Sequence, residues 1–549
     1  MQATAHVDTF VRDSLPPKAQ WPKLVFELPE LNYPGRLNCA AELLDAMVAG
    51  GHGERSVIRA LIDGKAYACS YRQLLQRANQ IAWVLTEDLK LKPGNRVLLR
   101  APNNPMMAAC LLAVIKAGLV AVPTMPLLRA TELKQIIDKA RVGAALCDLR
   151  LREELERARA ACRDLKQVLC FNDAGADALE QRLASKPVAF PNVDCAADDP
   201  CLIAFTSGTT GRPKGTVHFH RDVLAMCDCF PRSCLKPTRD DIFCGTPPLA
   251  FTFGLGGLLC FPMRFGASTV LMERLTPDSL LATIEKLKAT ICFTAPTYYR
   301  QMAGLAKNYE LKSLAKCVSA GEALPDATRQ LFKRASGIEI IDGIGATEMI
   351  HIFISHAPGR ARRGAIGYAI PGYAAKVIDA AGNPSAPGEV GRLAVIGPTG
   401  CRYLADARQR DYVIDRGSMR GWNLTGDACR MDADGYVYYQ ARADDMIISA
   451  GYNVAGPEVE AALLQHPAVA ECGVVGVPDA ERGQILKACV VLKSGYTGNQ
   501  PMVKELQEFV KKSIAPYKYP RAIEFMAALP RTETGKLQRF KLRAAGKGL

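Results

Sequence analysis

The 549-residue sequence contains no internal repeat, no low-complexity tract and no dense run of Lys and Arg interleaved with aromatic residues. These absences exclude a solenoid or propeller, a disordered chain and a continuous nucleic-acid-binding stripe. The 19 cysteines are scattered, and a chain this long needs no disulfide framework. The opening residues, MQATAHVDTFVRD, lack the apolar core and cleavage pattern of a secretory leader, so a reduced, cytoplasmic setting is expected. One stretch, Met106 to Leu128, is nearly all apolar. Lys116 interrupts it, Pro123 and Pro126 follow, and its texture changes from helix-like to strand-like at Gly118. It reads as a buried helix followed by a buried strand, not a membrane span.

What is present is the composition of a soluble globular protein of more than one domain, with 49% hydrophobic and 23% charged residues. The net charge of +14 favours anionic ligands but is dispersed, and alone it selects no function. Short apolar runs alternate with amphipathic segments. Arg96–Arg100, Leu119–Val122, Ala144–Cys147, Gln167–Phe171 and Leu202–Phe205 read as strands, and Ala130–Ala140 reads as a helix with Leu133, Ile136 and Ile137 on one face. This alternation predicts an α/β fold with buried sheets. From about Val390 the strand-like segments GRLAVIG, GWNLTGDACR and GYVYYQAR crowd together, with a hairpin turn expected at Asp434–Gly435. The polar run 441–445 is the best boundary candidate. It divides a large unit, 1–440, from a small α+β unit, 446–549, with helices near 457–465 and 501–512 and a strand at GVVGVP.

The strongest local signal is TSGTTGRPKG, Thr206–Gly215, directly after the apolar run Leu202–Phe205. Its glycines free the backbone to wrap a ligand; Thr206, Ser207, Thr209 and Thr210 offer hydroxyls, and Lys214 adds a cation. A polyphosphate needs that combination. The loop is not of the Walker type, because Pro213 precedes the lysine and Gly215 follows it. A competing metal reading falls on His218, His220, Cys227, Cys229 and Cys234, but the spacing has no Cys-x-x-Cys pair, and structural, reduced cysteines are expected.

TSGTTGRPKG resembles the signature loop of the adenylate-forming (acyl-CoA synthetase) superfamily. Further matches follow in that family's order: SAGEALP at Ser319–Pro325, DGIGATE at Asp342–Glu348, WNLTGD at Trp422–Asp427, ARADDMI at Ala441–Ile447, AGYNVAGPEVE at Ala450–Glu460 and LPRTETGKLQR at Leu529–Arg539. The resemblance covers nearly the whole chain. It implies a large domain of layered α/β sheets with a β-rich subdomain, and a small, mobile C-terminal α+β domain. It also implies ATP with Mg²⁺ and coenzyme A as co-substrate.

Residue by residue, the resemblance places Thr206, Ser207, Gly208, Thr209, Thr210 and Lys214 at the phosphates. Gly321, Glu322, Ala323, Asp342, Gly343 and Ile344 fall around the nucleotide. Thr347 and Glu348 fall at the reacting phosphates, Glu348 as a hard oxygen ligand for magnesium. Asp427 would accept from the ribose hydroxyls and Arg442 would contact ribose and phosphate. Lys536 would offset charge as the acid attacks the α-phosphate. Asp444 matches the hinge, and Gly451 the border of the pantetheine tunnel. Two departures are Ala441, where the family usually has Gly, and Ile344, in the place of a common aromatic.

The acyl pocket implied by the resemblance involves Phe251, Phe253, Gly254, Ala320, Gly345, Ile350 and His351. Two phenylalanines, small residues and branched walls suit a flat ring. Pro247–Gly257 holds no acidic residue, which disfavours α-amino acids. DGIGATEMIHIF is similar to the benzoate–CoA ligase branch. GYNVAGPEVE and PTMPLLR are similar to 2-aminobenzoate–CoA ligases within it. The expected partners are an aromatic acid, ATP and coenzyme A, with no nucleic acid and no membrane span; a homodimer is compatible with this reading. Three rivals stay open: a medium-chain fatty acyl-CoA synthetase, a stand-alone adenylation domain serving a carrier protein, and a non-enzymatic nucleotide-binding module.

Overall fold

The computed structural model describes residues 3–62, 65–206, 213–442, 445–449, 452–479, 482–514, 516–531 and 537–544. A six-stranded sheet runs in the order Gln167–Phe171, Ala144–Asp148, Arg96–Arg100, Val120–Thr124, Pro200–Thr206, Lys214–Phe219. Only its last pair is antiparallel. Its Val- and Leu-rich strands are buried on both faces, the pattern a parallel sheet sandwiched by helices demands. The predicted strands are all present, Arg96–Arg100 and Gln167–Phe171 with the bounds expected and the others shifted or extended by one or two residues. Helix Ala130–Ala140 lies as expected, with Leu133, Ile136 and Ile137 buried.

The apolar stretch at 106–128 resolves into helix Pro105–Lys116 and strand Val120–Thr124. Asn104 caps the helix by accepting from the Met107 N–H at 2.9 Å, and Pro105 takes the first turn, where no amide donor is needed. Lys116 is fully buried, and burial lowers its pKa; an ion pair with Asp45 offsets that cost. Gly118, at φ +65°, makes the turn, where a Cβ would meet Val193 at 2.8 Å. Among the described residues no helix is long and apolar enough to cross a membrane.

A second sheet has nine strands, ordered Tyr368–Ala369, Ile352–Ser355, Ile340–Gly345, Lys316–Ser319, Ile291–Thr294, Ile242–Gly245, Ser268–Val270, Ser56–Ile62, Lys65–Ser70. The six from Ile340–Gly345 to Ser56–Ile62 pair in parallel, and both edges turn antiparallel. The largest core joins helices Tyr71–Trp83, Pro105–Lys116 and His220–Phe230 to both sheets.

The strand-rich segment forms an antiparallel sheet of Ala374–Ile378, Val390–Ile396, Asn423–Met431 and Val437–Arg442. Gly435, at φ +83°, occupies the hairpin turn expected at Asp434–Gly435. Ala441 and Arg442 finish the last strand. The smaller C-terminal unit has a sheet of Val469–Asp479, Gly483–Leu492 and Ala522–Phe525, flanked by helices Gly456–Leu463, Gln500–Ser513 and Arg539–Ala544. Its own core includes Val459, Leu463, Val474, Leu486, Leu506 and Val510. The fold is thus α/β, with a large N-terminal domain and a small C-terminal one. All 19 cysteines are free thiols, and all but Cys162 and Cys472 are buried.

Candidate active site

Parallel strands end together, and loops leaving their carboxyl ends converge on one crevice. In the nine-stranded sheet those ends are Gly245, Thr294, Ser319 and Gly345. The segments that follow carry Phe251 and Phe253, Thr297, Ala320 to Ala323, and Thr347 to His351. Thr206 ends its strand in the other sheet and pairs with Lys214 across an antiparallel register. Ser207, Gly208, Thr209 and Thr210 lie outside the described residues, as do Asp444, Gly451 and Lys536.

The polar side of the crevice is held by a contact between distant segments. Residues 401–404 zip onto the strand Lys214–Phe219: the Val217 N–H donates to the Arg402 carbonyl at 2.8 Å, and the Leu404 N–H to the Gly215 carbonyl at 2.8 Å. This puts Tyr403 beside the phosphate-loop lysine. Lys214 Nζ donates to Tyr403 Oη at 2.8 Å, and Tyr403 Oη donates in turn to Glu348 Oε1. Lys214 Nζ is itself 3.5 Å from that carboxylate. Burial and the neighbouring Glu348 carboxylate push the Tyr403 phenol pKa far up, so the hydroxyl stays a donor. Glu348 sits in the short turn Thr347–Met349 and is buried, and the strand ending at Thr206 packs on that turn. After it, Ile350 adopts φ +67°, a strained choice for a β-branched residue, costing about 1–3 kcal/mol. That twist lets Ile350 and His351 turn into the core while Glu348 stays with Lys214.

On the adjoining wall, Asp427 and Arg442 face each other across neighbouring strands, with Arg442 Nη1 3.1 Å from Asp427 Oδ1. Gly426, at φ +77°, leaves room for the guanidinium; a Cβ there would meet Arg442 Nη2 at 2.4 Å. Asp342 is buried, its Oδ1 accepting from the Gly343 N–H at 3.0 Å. Burial raises its pKa to about 7 against the pull of Arg329, whose Nη2 is 3.6 Å from the carboxylate. Ile344 is half-buried, whereas Gly321, Ala323 and Gly345 are exposed.

The apolar side is an aromatic enclosure. Phe253 packs against Phe293 at 5.7 Å and His351 at 5.6 Å between ring centroids. Phe261 meets the His351 ring edge-on at 4.5 Å, and Phe230 stacks on it at 6.0 Å. Gly256 and Gly257 are needed there, since a Cβ would meet His351 Cδ2 at 2.4 Å and Phe293 Cδ1 at 2.6 Å. Gly254 admits no side chain either, with the Pro248 carbonyl 2.1 Å from a Cβ position. Ala320 and Ile350 are buried beside this region, and Phe251 is half-buried at the start of the short helix Thr252–Leu255. Burial lowers the His351 pKa to about 3, so its ring is neutral at working pH. His351 Nε2 lies 3.3 Å from the Phe253 carbonyl, which can only accept. Nε2 therefore carries the proton, and Nδ1, buried without a partner, keeps a lone pair.

Sequence reasoning missed Tyr403, Arg402, Thr297, Phe230, Phe261 and Phe293. Phe293 carries a faint signal, since it stands in an apolar run just before Ala295–Pro296. Tyr403 carries none, because only the chain crossing brings it to Lys214. The suspected metal ligands do not form a site. His218 is buried in a strand, Cys227 and Cys229 lie along helix His220–Phe230, and Cys227 Sγ donates to the Val223 carbonyl at 3.2 Å. The only Cys/His group close enough for a metal among the described residues is Cys39, Cys201 and His220. There the Cys39 N–H already occupies His220 Nδ1 at 3.2 Å. For magnesium the polar crevice fits better. Glu348 is a hard carboxylate, and Thr206 Oγ1 is buried without a partner among the described residues, as a group awaiting phosphate would be.

Two outcomes follow from this geometry. Tyr403→Phe keeps the ring but removes the hydroxyl between Lys214 and Glu348, letting the two charges close on each other. The loss of a hydrogen bond to a charged group predicts a fall of about ten- to hundredfold in kcat/KM for ATP, read by pyrophosphate release, with little change in Tm. Asp342 holds a proton in the folded state that the unfolded chain has released between pH ~4 and ~7, so its contribution falls as pH rises through that window. Asp342→Asn has no such loss. Thermal melts from pH 5 to 8 should show the Tm difference moving in the variant's favour up to about pH 7 and levelling above it.

The AMP-binding enzyme family matches residues 49–403, and the AMP-binding enzyme C-terminal domain matches residues 458–536. The benzoate–CoA ligase of Thauera aromatica is 34% identical over 522 residues, covering 94% of this chain and 98% of that protein. The human mitochondrial acyl-coenzyme A synthetase ACSM3 is 31% identical, over 88% of this chain and 84% of that protein. The crystal structure of the anthranilate CoA ligase AuaEII in complex with anthranoyl-AMP superposes with a TM-score of 0.89 at 32% identity, covering 95% of this chain and 99% of that one. A benzoate CoA ligase from Burkholderia xenovorans LB400 gives a TM-score of 0.83 at 30% identity, covering 92% and 100%. With both catalytic-domain matches in place and the crevice built as described, the chain belongs to the AMP-binding enzymes and is an AMP-forming acid–CoA ligase.

Proposed function

We propose that the acid is an aromatic carboxylate of the benzoate type, with 2-aminobenzoate the best fit. The observation that carries this reading is the ring enclosure of Phe253, Phe293, Phe261 and His351, closed by Gly256 and Gly257. A flat ring gains apolar burial there and about 0.5–1.5 kcal/mol of ring geometry. The partnerless lone pair on His351 Nδ1 supports a donor on the ring, which a 2-amino group supplies. Similarity to a ligase crystallised with anthranoyl-AMP supports the same substituent.

In the first half-reaction a carboxylate oxygen attacks the α-phosphorus of ATP, and the bond to pyrophosphate breaks. Lys214, Thr206 and the loop between them hold the phosphates, and Tyr403 keeps Lys214 and Glu348 at fixed separation. Glu348 would hold magnesium together with phosphate oxygens, and that ion supplies charge neutralisation. Asp427 and Arg442 bind the ribose side; Gly321 to Ala323, Asp342 to Ile344 and Thr347 border the nucleotide. In the second half-reaction the coenzyme A sulfur attacks the acyl carbon and AMP leaves. Asp444 as hinge and Gly451 as tunnel border rest on the resemblance, as does Lys536 at the reacting centre.

Lys536→Ala should cut adenylation at least about a hundredfold, while thioester formation from supplied acyl-adenylate continues. Equal loss in both half-reactions would remove Lys536 from this role. For substrate class, a pyrophosphate-release screen over benzoate, 2-aminobenzoate, hydroxybenzoates and C6–C12 fatty acids, with and without coenzyme A, is decisive. Aromatic acids should lead octanoate by tens-fold or more. Phe253→Ala or Phe251→Ala should shift relative use toward octanoate by about ten- to hundredfold, within the ~1–3 kcal/mol that one apolar group can discriminate. If octanoate is the better substrate of the unmodified protein, a medium-chain acyl-CoA synthetase replaces the aromatic reading. Acyl transfer only to a carrier protein would point to an adenylation domain instead.

A further inference from the structure

The small domain meets the large one through two arginines that the substrate site does not use. Arg531 lies in the small domain, within the motif that leads to Lys536. Its Nη1 donates to Glu322 Oε1 at 3.1 Å, and its Nη2 to Glu471 Oε2 at 2.8 Å. Glu471 belongs to the small domain's own strand Val469–Asp479, whereas Glu322 is in the large domain, on the loop that follows strand Lys316–Ser319. The guanidinium fork therefore spans the domain boundary. Glu322 is not free to follow the small domain, because Thr297 Oγ1 donates to its other oxygen at 3.1 Å. Thr297 stands in helix Pro296–Leu305, and one turn later Arg300 makes the second bridge. Arg300 Nε donates to the Ala470 carbonyl at 3.1 Å, and its Nη2 reaches the Leu464 and Val469 carbonyls at 3.5 and 3.4 Å. Leu464 ends helix Gly456–Leu463, so the cation sits at the negative end of that helix.

Arg531 is also where the chain turns back on itself. It forms a β-bridge with Leu537, and the Gln538 N–H donates to the Pro530 carbonyl at 2.9 Å. The base of the segment carrying Lys536 is thus clamped at Arg531, and Arg531 is clamped to the loop at the nucleotide. We infer that Arg531 is a positioning residue for adenylation: through Glu322 it docks the small domain against the loop after strand Lys316–Ser319, the docked arrangement in which Lys536 would act. The inference rests on the proposed role of Lys536. Turning of the small domain about the hinge that the resemblance implies at Asp444, as proposed for thioester formation, would part Arg531 from Glu322, so the pair favours the first half-reaction and does nothing for the second. A bidentate arginine gives this docking a defined orientation that one ammonium group cannot.

The test compares Arg531→Met, Arg531→Lys and Lys536→Ala in the two half-reactions measured separately. Adenylation is followed by ATP–pyrophosphate exchange, and thioester formation by coenzyme A consumption with supplied acyl-adenylate. Arg531→Met should lower kcat for adenylation about tenfold, with KM for ATP within about twofold and thioester formation unchanged or faster. Arg531→Lys, which keeps the charge but reaches only one carboxylate well, should fall between Met and wild type. Adenylation unchanged in Arg531→Met, loss carried by KM for ATP, or equal loss in both half-reactions in both Arg531 variants would each overturn the inference. If Lys536→Ala behaves as proposed while Arg531→Met behaves as wild type, the docking role fails and the lysine's role stands. If Lys536→Ala leaves exchange intact, the proposed role of the lysine fails first.

Discussion

A buried ion pair next to Tyr403 underlies the polar half of the site. Arg402 and Asp222 are both fully buried and pair with each other, the carboxylate also accepting from the Phe219 N–H at 2.9 Å. Arg402 lies over the Phe219 ring, 4.0 Å from its centroid. Burial alone would favour neutral forms of both groups: it raises the Asp222 pKa and lowers that of Arg402, and each partner opposes the other's shift. Such a pair adds little net stability, but removing one partner costs about 3–5 kcal/mol because a charge is left uncompensated. Its value is geometric. It helps pin residues 401–404 against the strand Lys214–Phe219, together with the backbone bonds between the two and those that Cys401 and Tyr403 give to Asn423 and Gln409, and so keeps Tyr403 at Lys214 and Glu348.

From that anchor the crevice divides by chemistry. On one side, an ammonium group and a carboxylate are linked through Tyr403, which accepts from Lys214 and donates to Glu348. On the other, aromatic rings pack closely against Gly254, Gly256 and Gly257, where any side chain would collide with backbone or ring. The strained backbone at Ile350 joins the two halves, turning the chain from Glu348 to His351 within three residues. In the proposed reading acid and phosphate meet where these halves join, and the approach of two anions is where such an enzyme must lower the barrier.

The two domains are held differently. Inside the large domain the contacts are apolar and extensive, whereas across the boundary Arg300 uses backbone carbonyls and Arg531 the largely buried Glu322 carboxylate. Contacts of the second kind can be exchanged at modest cost, which suits the hinge motion proposed for the small domain.

Most of the architecture was legible in the sequence because it is local. Apolar runs with buried neighbours on both sides define the parallel strands. The Asx cap and proline at 104–105 start a helix, Gly118 and Gly435 make turns that need positive φ, and the ordered motifs carry Thr206, Lys214, Glu348, Asp427 and Arg442. The boundaries of strands shifted by a residue or two because pairing, not composition, decides where a ladder stops. What only the tertiary structure decided is which distant groups meet. Tyr403 at Lys214, Phe293 and Phe261 around His351, Arg329 beside Asp342, and Arg531 at Glu322 are separated by 13 to 209 residues. No periodicity records such pairs, because each is fixed by the crossing of strands and the closing of a core. Charge state belongs to the same category: Asp342 and His351 are ordinary titratable residues in the sequence, and only burial makes one hold its proton to about pH 7 and the other stay neutral down to about pH 3.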